Sequence, residues 1–99
     1  MSDAITRTDE TTHGEYRIDV PGAAKPAVLT WRARGEARIA DHTYVPDEAR
    51  GGGIALKLVE ALIADAREQG FTVVPRCSYV AAQFRRHPEW ADVLADTAE

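Results

Sequence analysis

Arg50-Gly51-Gly52-Gly53 runs directly into Ile54-Ala55-Leu56-Lys57-Leu58-Val59-Glu60-Ala61, so a glycine-rich turn opens onto a helical pattern. Such a junction leaves the first amide N–H groups of the helix without intrahelical partners, with the positive end of the macrodipole behind them. Anionic oxygens, phosphate above all, bind at places of this kind. Three successive glycines permit positive φ and let a ligand approach with no Cβ in the way. The turn is therefore expected to hold the diphosphate of a nucleotide-like cofactor, the alternative being a plain connection. It lacks the Gly-Lys-Ser/Thr ending of a P-loop, which argues against a metal-bound triphosphate. The strands before it read as antiparallel, which argues against the dinucleotide fingerprint of parallel sheets.

Two further clusters carry chemistry-bearing side chains, His42-Thr43 and Arg76-Cys77-Ser78-Tyr79. Cys77 is the single cysteine. It is either a small packing residue or a reactive thiol, and Ser78 and Tyr79 begin a helical pattern whose N-terminus lowers a thiol pKa. His42 either orders a strand irregularity or exchanges protons near neutral pH. His13 and His87 have no metal-ligand spacing with any partner, and Asp41 with His42 is too small a set, so no metal is expected.

The elements that must position these groups follow from periodicity. Tyr16-Arg17-Ile18-Asp19-Val20 alternates, giving a half-buried strand over 15–20. A second strand spans 27–33 with Val28, Leu29 and Trp31. A third spans 36–45, with Ala37, Ile39, Asp41, Thr43 and Val45 along one face and a bulge expected near Asp41-His42. Short links make these an antiparallel meander. The helix over 53–69 puts Ile54, Leu58, Ala61, Leu62 and Ala66 on one face, widened by Leu56, Val59 and Ile63, and Gly70 ends it. A crossover then makes the strand at 71–75 parallel to the third. A short helix follows from Ser78, and Pro88 starts another turn with Trp90, Val93 and Leu94 at core spacing. Residues 1–13 read as a frayed polar lead-in.

The expected fold is α+β, a mixed, mostly antiparallel sheet of about four strands with a central helix after a glycine-rich pyrophosphate loop. A chain of 99 residues, 44% hydrophobic and 28% charged, is one ordinary globular domain, read here as residues 10–97. Net charge is −4, from 12 basic and 16 acidic residues with no basic stripe, so nucleic acid is not an expected partner. No apolar run approaches the roughly 18 residues that would span a membrane. There is no signal-peptide pattern, and one cysteine fits a reducing compartment, so a cytoplasmic location is expected. The strand edge over 15–20 is open to a second copy, giving a monomer or a homodimer.

Arg50-Gly51-Gly52-Gly53-Ile54-Ala55 resembles the Arg/Gln-x-x-Gly-x-Gly/Ala motif of the GNAT superfamily, the acetyl-CoA-dependent N-acetyltransferases. His42-Thr43-Tyr44-Val45-Pro46, the glycine turn, the helix and Val74-Pro75-Arg76-Cys77-Ser78-Tyr79-Val80 together resemble its small single-domain branch. The resemblance covers roughly Glu15 to Leu94. It implies that amides of Arg50, Gly51, Gly52, Gly53, Ile54 and Ala55 hold the pyrophosphate of acetyl-CoA, used as co-substrate without a metal. The pantetheine arm would lie like a short strand along Tyr44 and Val45, in a gap where the third strand and 71–76 splay apart. The thioester would then sit between His42-Thr43 and Arg76-Cys77-Ser78, with Phe84 at the adenine end. In that setting His42 is the candidate base for an amine, Tyr79 either protonates the departing thiolate or packs with Phe84, and Cys77 is the candidate nucleophile of a two-step route. Direct attack by the amine is the commoner route in the superfamily. The implied activity is acetyl transfer to a small-molecule or peptide amine. No counterpart of the N-terminal helical region of larger members is recognisable, and a non-catalytic coenzyme-A-binding or interaction module is the alternative.

Overall fold

The computed structural model describes residues 5–95. Strands β1 (Ile5–Asp9), β2 (His13–Ile18), β3 (Ala27–Arg34), β4 (Ala37–Tyr44) and β5 (Thr72–Pro75) form one sheet in that order. β1 to β4 make an antiparallel meander, and β5, reached through helix α1 (Ile54–Gln69), runs parallel to β4. Helix α2 (Ser78–Arg86) and a 3₁₀ helix at Pro88–Val93 follow. No described helix is long and apolar enough to cross a membrane.

The helical apolar stripe becomes the core. Leu58, Val59, Ala61, Leu62, Ile63 and Ala66 of α1 pack with Tyr16, Ile18, Ala27, Leu29, Trp31 and Ala40 of the sheet. Each large aliphatic side chain so buried contributes about 1.5–3 kcal/mol. Gly70 ends the helix in the left-handed region, φ 84°, its N–H donating to the Ala66 carbonyl. Trp90 and Val93 join the core as their spacing predicts, whereas Leu94 stays 41% exposed.

The same helix buries a carboxylate, Asp65, only 6% exposed. Tyr16 Oη donates to it at 2.8 Å and Arg7 Nε at 2.7 Å, so the charge is paired and its oxygens are satisfied. That contact explains a strand that alternation did not reveal. Residues 5–9, expected in the frayed lead-in, form β1 beside β2, and Arg7 reaches across to α1. Four of the five β1 side chains are exposed, so the strand has no apolar signature. Residues 1–4, and the domain end at 96–97, lie outside the described residues. The edge expected to be open at 15–20 is instead covered by β1, which leaves no free edge there for a second copy.

Gly14 is needed where it stands. A Cβ there would fall onto the Thr8 carbonyl oxygen and the Trp31 ring. Arg38 stacks over the other side of this packing, its guanidinium 3.9 Å from the Trp31 ring centre and 4.1 Å from that of Phe71.

The expected bulge is present. Trp31 pairs with Ala40 and Thr30 with His42, so Asp41 is the extra residue of β4. Thr30 Oγ1 donates to Asp41 Oδ1 at 2.5 Å. One added residue reverses the side-chain alternation. The row expected on one face is therefore divided: Thr43, paired with buried Leu29, joins Ala40 on the α1 side, and His42 turns to the opposite, open face.

Gly14→Ala is expected to destabilise the fold by about 1–3 kcal/mol, as overpacking does, read as a lower urea midpoint at unchanged slope. Burial, then the hydrogen bond to Asp65, holds the Tyr16 phenol above its ordinary value. Its contribution is complete below about pH 10, the ordinary tyrosine value, and is lost as pH rises above it. Urea melts between pH 8 and 11 should show that loss, and Tyr16→Phe should flatten it.

Candidate active site

β4 and β5 pair from Ala37–Thr72 to Ala40–Pro75, and no further. Arg76 N–H bonds back to the Val74 carbonyl at 2.9 Å, and Cys77 N–H reaches the Ala40 carbonyl at 2.8 Å. The chain then turns into α2 while β4 continues to Tyr44. The strands part after Ala40, leaving residues 41–44 with no β5 partner.

On the α1 side of this parting lies a cavity of about 430 Å³. Thr43 and Val45 of β4 form one wall, and Ala49, Arg50, Gly51 and Gly53 the turn above it. Ile54 and Ala55 of α1 and Tyr79 of α2 complete it. Gly51 and Gly53 have φ of 85° and 82°, with open space where a Cβ would project. Gly53 is the N-cap of α1, no side chain caps it, and the first turn holds no acidic residue. The amides of Ile54 and Ala55 therefore begin the helix without intrahelical acceptors and with the macrodipole behind them. The row of six amides expected here is shorter. Arg50 N–H is taken by the Asp47 carbonyl at 3.2 Å and Gly52 N–H by the Ala49 carbonyl at 3.3 Å. A 3₁₀ turn at Asp47–Ala49 consumes both, leaving Gly51, Gly53, Ile54 and Ala55.

Cys77 is the N-cap of α2 and partly buried. Its Sγ lies 3.4 Å from Thr43 Oγ1, which ties the thiol to the cavity wall. Burial pushes this thiol up. Hydrogen bonds from Thr43 and from the helix amides of Val80 and Tyr79 outweigh it and hold the thiol below its ordinary value. Tyr79 faces the same cavity, and burial holds its phenol above the usual tyrosine value, so it stays protonated at neutral pH.

Three sequence candidates stand elsewhere. His42 is exposed on the open face, opposite Thr43. Tyr44 pairs with Val28, and its side chain leaves the cavity because the bulge sets its parity. Phe84 is buried in the core, edge-to-face with Trp90 at 5.8 Å between centroids, and does not line the cavity. Ala49 in the cavity wall and the Thr43–Cys77 contact lie beyond what the sequence pattern marks. The contact joins residues 34 apart in sequence, and no local pattern carries that information.

The model of the GCN5-related N-acetyl-transferase family matches residues 15–93. The fold is similar to the NMR solution structure of a GCN5-like protein from Staphylococcus aureus, with a TM-score of 0.73 and 24% sequence identity. The match covers 100% of this chain and 97% of that one, and at this identity it speaks for the fold alone.

Thr43→Val is expected to remove the hydroxyl that favours the thiolate. The pH profile of Cys77 alkylation by iodoacetamide should move to higher pH, with slower labelling at pH 7. Thr43→Ser should restore the original profile.

Proposed function

The chain belongs to the GCN5-related N-acetyltransferase family, and on that premise we propose that it transfers the acetyl group of acetyl-CoA to an amine. The observation that carries this reading is the uncapped start of α1, free of first-turn carboxylates, at the head of a cavity that runs down to Thr43. The N–H groups of Gly51, Gly53, Ile54 and Ala55 suit the two phosphates. The unpaired backbone of β4 beyond Ala40 suits an amide-bearing arm lying beside it as an added strand.

Acetyl-CoA supplies an acetyl group activated as a thioester. The chain supplies the rest. Cys77, held partly as thiolate, attacks the acetyl carbon, and the bond to the coenzyme sulfur breaks. Tyr79 Oη gives that sulfur its proton and regains one from solvent. The amine nitrogen then attacks the acetyl group on Cys77 and restores the thiolate as the C–N bond forms. His42, on the open face beside the parting, takes the proton that the amine sheds.

Acetyl-CoA mixed with the protein and an amine panel should release free thiol, and mass spectrometry should find one acetyl group on Cys77. His42→Ala is expected to slow transfer by about 10²-fold or more, the usual contribution of a general base. Full turnover by Cys77→Ala alongside loss in His42→Ala would leave direct attack by the amine. Tight coenzyme binding without thiol release would leave a binding module.

Ala55→Asp separates binding from folding. A carboxylate in the first turn of α1 favours the helix dipole yet repels phosphate, so coenzyme A affinity should fall about tenfold or more while thermal stability holds or rises. Calorimetric titration and a thermal melt read the two effects.

A further inference from the structure

The Thr43 hydroxyl stands at both the thiol and the cavity. Thr43 shares the cavity wall with Tyr79, and its Oγ1 is 3.4 Å from Cys77 Sγ. Cys77 is its one side-chain hydrogen-bond partner among the described residues, so the hydroxyl is free to turn about its C–O bond. The bulge puts it there, by pairing Thr43 with buried Leu29 on the α1 side. The backbone N–H groups of Tyr79 and Val80 are directed at the same sulfur.

These contacts have a use beyond the resting thiol. When Sγ gives its electron pair to an acyl carbon, the S–C bond forms and the carbonyl π pair moves to oxygen. The negative charge leaves sulfur and appears on an oxygen two bonds away. With Oγ1 at 3.4 Å from Sγ, that oxygen can stand about 2.7–3.1 Å from Oγ1, the separation an oxyanion donor requires. A turn of the hydroxyl carries its hydrogen from sulfur to oxygen, and no backbone has to move. We propose that Thr43 is a further catalytic residue, its hydroxyl the side-chain donor that stabilises the tetrahedral oxyanion formed on Cys77. The Thr43 proton stays on Oγ1 throughout. As the oxyanion collapses, the C–S bond to the leaving thiol breaks and the electron pair departs on that sulfur, which Tyr79 protonates. This inference rests on the acetyl-Cys77 route of the proposed function.

The other role open to Thr43 is to favour the thiolate and nothing more. The two roles separate by reagent. Iodoacetamide loses iodide from a saturated carbon and forms no oxyanion, whereas acylation by a thioester must pass through one.

The test follows single-turnover acylation of Cys77 by acetyl-CoA and by S-phenyl thioacetate, beside alkylation by iodoacetamide, with mass spectrometry. Each rate is taken on the high-pH plateau of its profile, where the thiol is fully ionised. In Thr43→Val and Thr43→Ala both acylation plateaus should fall about 10²-fold, the usual cost of one lost oxyanion donor. The alkylation plateau should hold or rise, since a more basic thiolate is the better nucleophile. Thr43→Ser should restore acylation. Acylation plateaus unchanged in both variants would overturn the proposal and leave Thr43 a partner of the resting thiol. An equal fall with all three reagents would overturn it too, as lost access to the sulfur. So would a wild-type chain that neither thioester acylates. Acylation by S-phenyl thioacetate in the expected pattern, with none by acetyl-CoA, would uphold the donor role and remove the coenzyme reading instead.

Discussion

A single buried carboxylate sets how the long helix lies on the sheet. The apolar stripe of α1 decides which face of the helix meets the sheet. Asp65 adds a directional contact to that packing. It accepts hydrogen bonds from Tyr16 on β2 and Arg7 on β1, which pins the helix to the two strands farthest from β5. The start of α1 lies eleven residues earlier, about 16 Å along the axis, and its orientation follows from that packing and contact together. The glycine turn supplies the amides, but the contact at the far end of the helix aims them. Such a carboxylate without its partners would be costly, so the clasp works only as a complete set.

The bulge at Asp41 is the second constraint. β4 passes from a paired strand to one that borders an opening, and it changes side-chain parity at almost the same point. Thr43 consequently joins Cys77 on one side of the sheet while Asp41 and His42 look out on the other.

Much of this was legible in the sequence because it is local. The glycine turn, the periodicity of α1, Gly70 as its terminator and the parallel strand after the crossover all depend on neighbours within a few positions. The bulge was legible too, since polar Asp41 interrupts an apolar alternation. Its effect on parity depends on the pairing with β3, which stands His42 and Thr43 back to back and not side by side across a gap. β1 escaped notice because an exposed edge strand has little apolar alternation to betray it. Asp65 escaped for another reason: its partners lie 49 and 58 residues away, and only the folded chain brings them together. Phe84 has core spacing and a core position. Of the glycine-turn amides, the sequence could not tell which ones a 3₁₀ turn would use up.

The parting of β4 and β5 turns the middle of a sheet into an edge. Edges ordinarily lie at the rim, where an extended chain can add itself as one more strand. Here the stretch 41–44 keeps β3 on one side and loses β5 on the other, because the chain has already turned into α2. Unclaimed backbone groups therefore stand well inside the domain, and a stretch of ladder left unmade creates them without a single added residue.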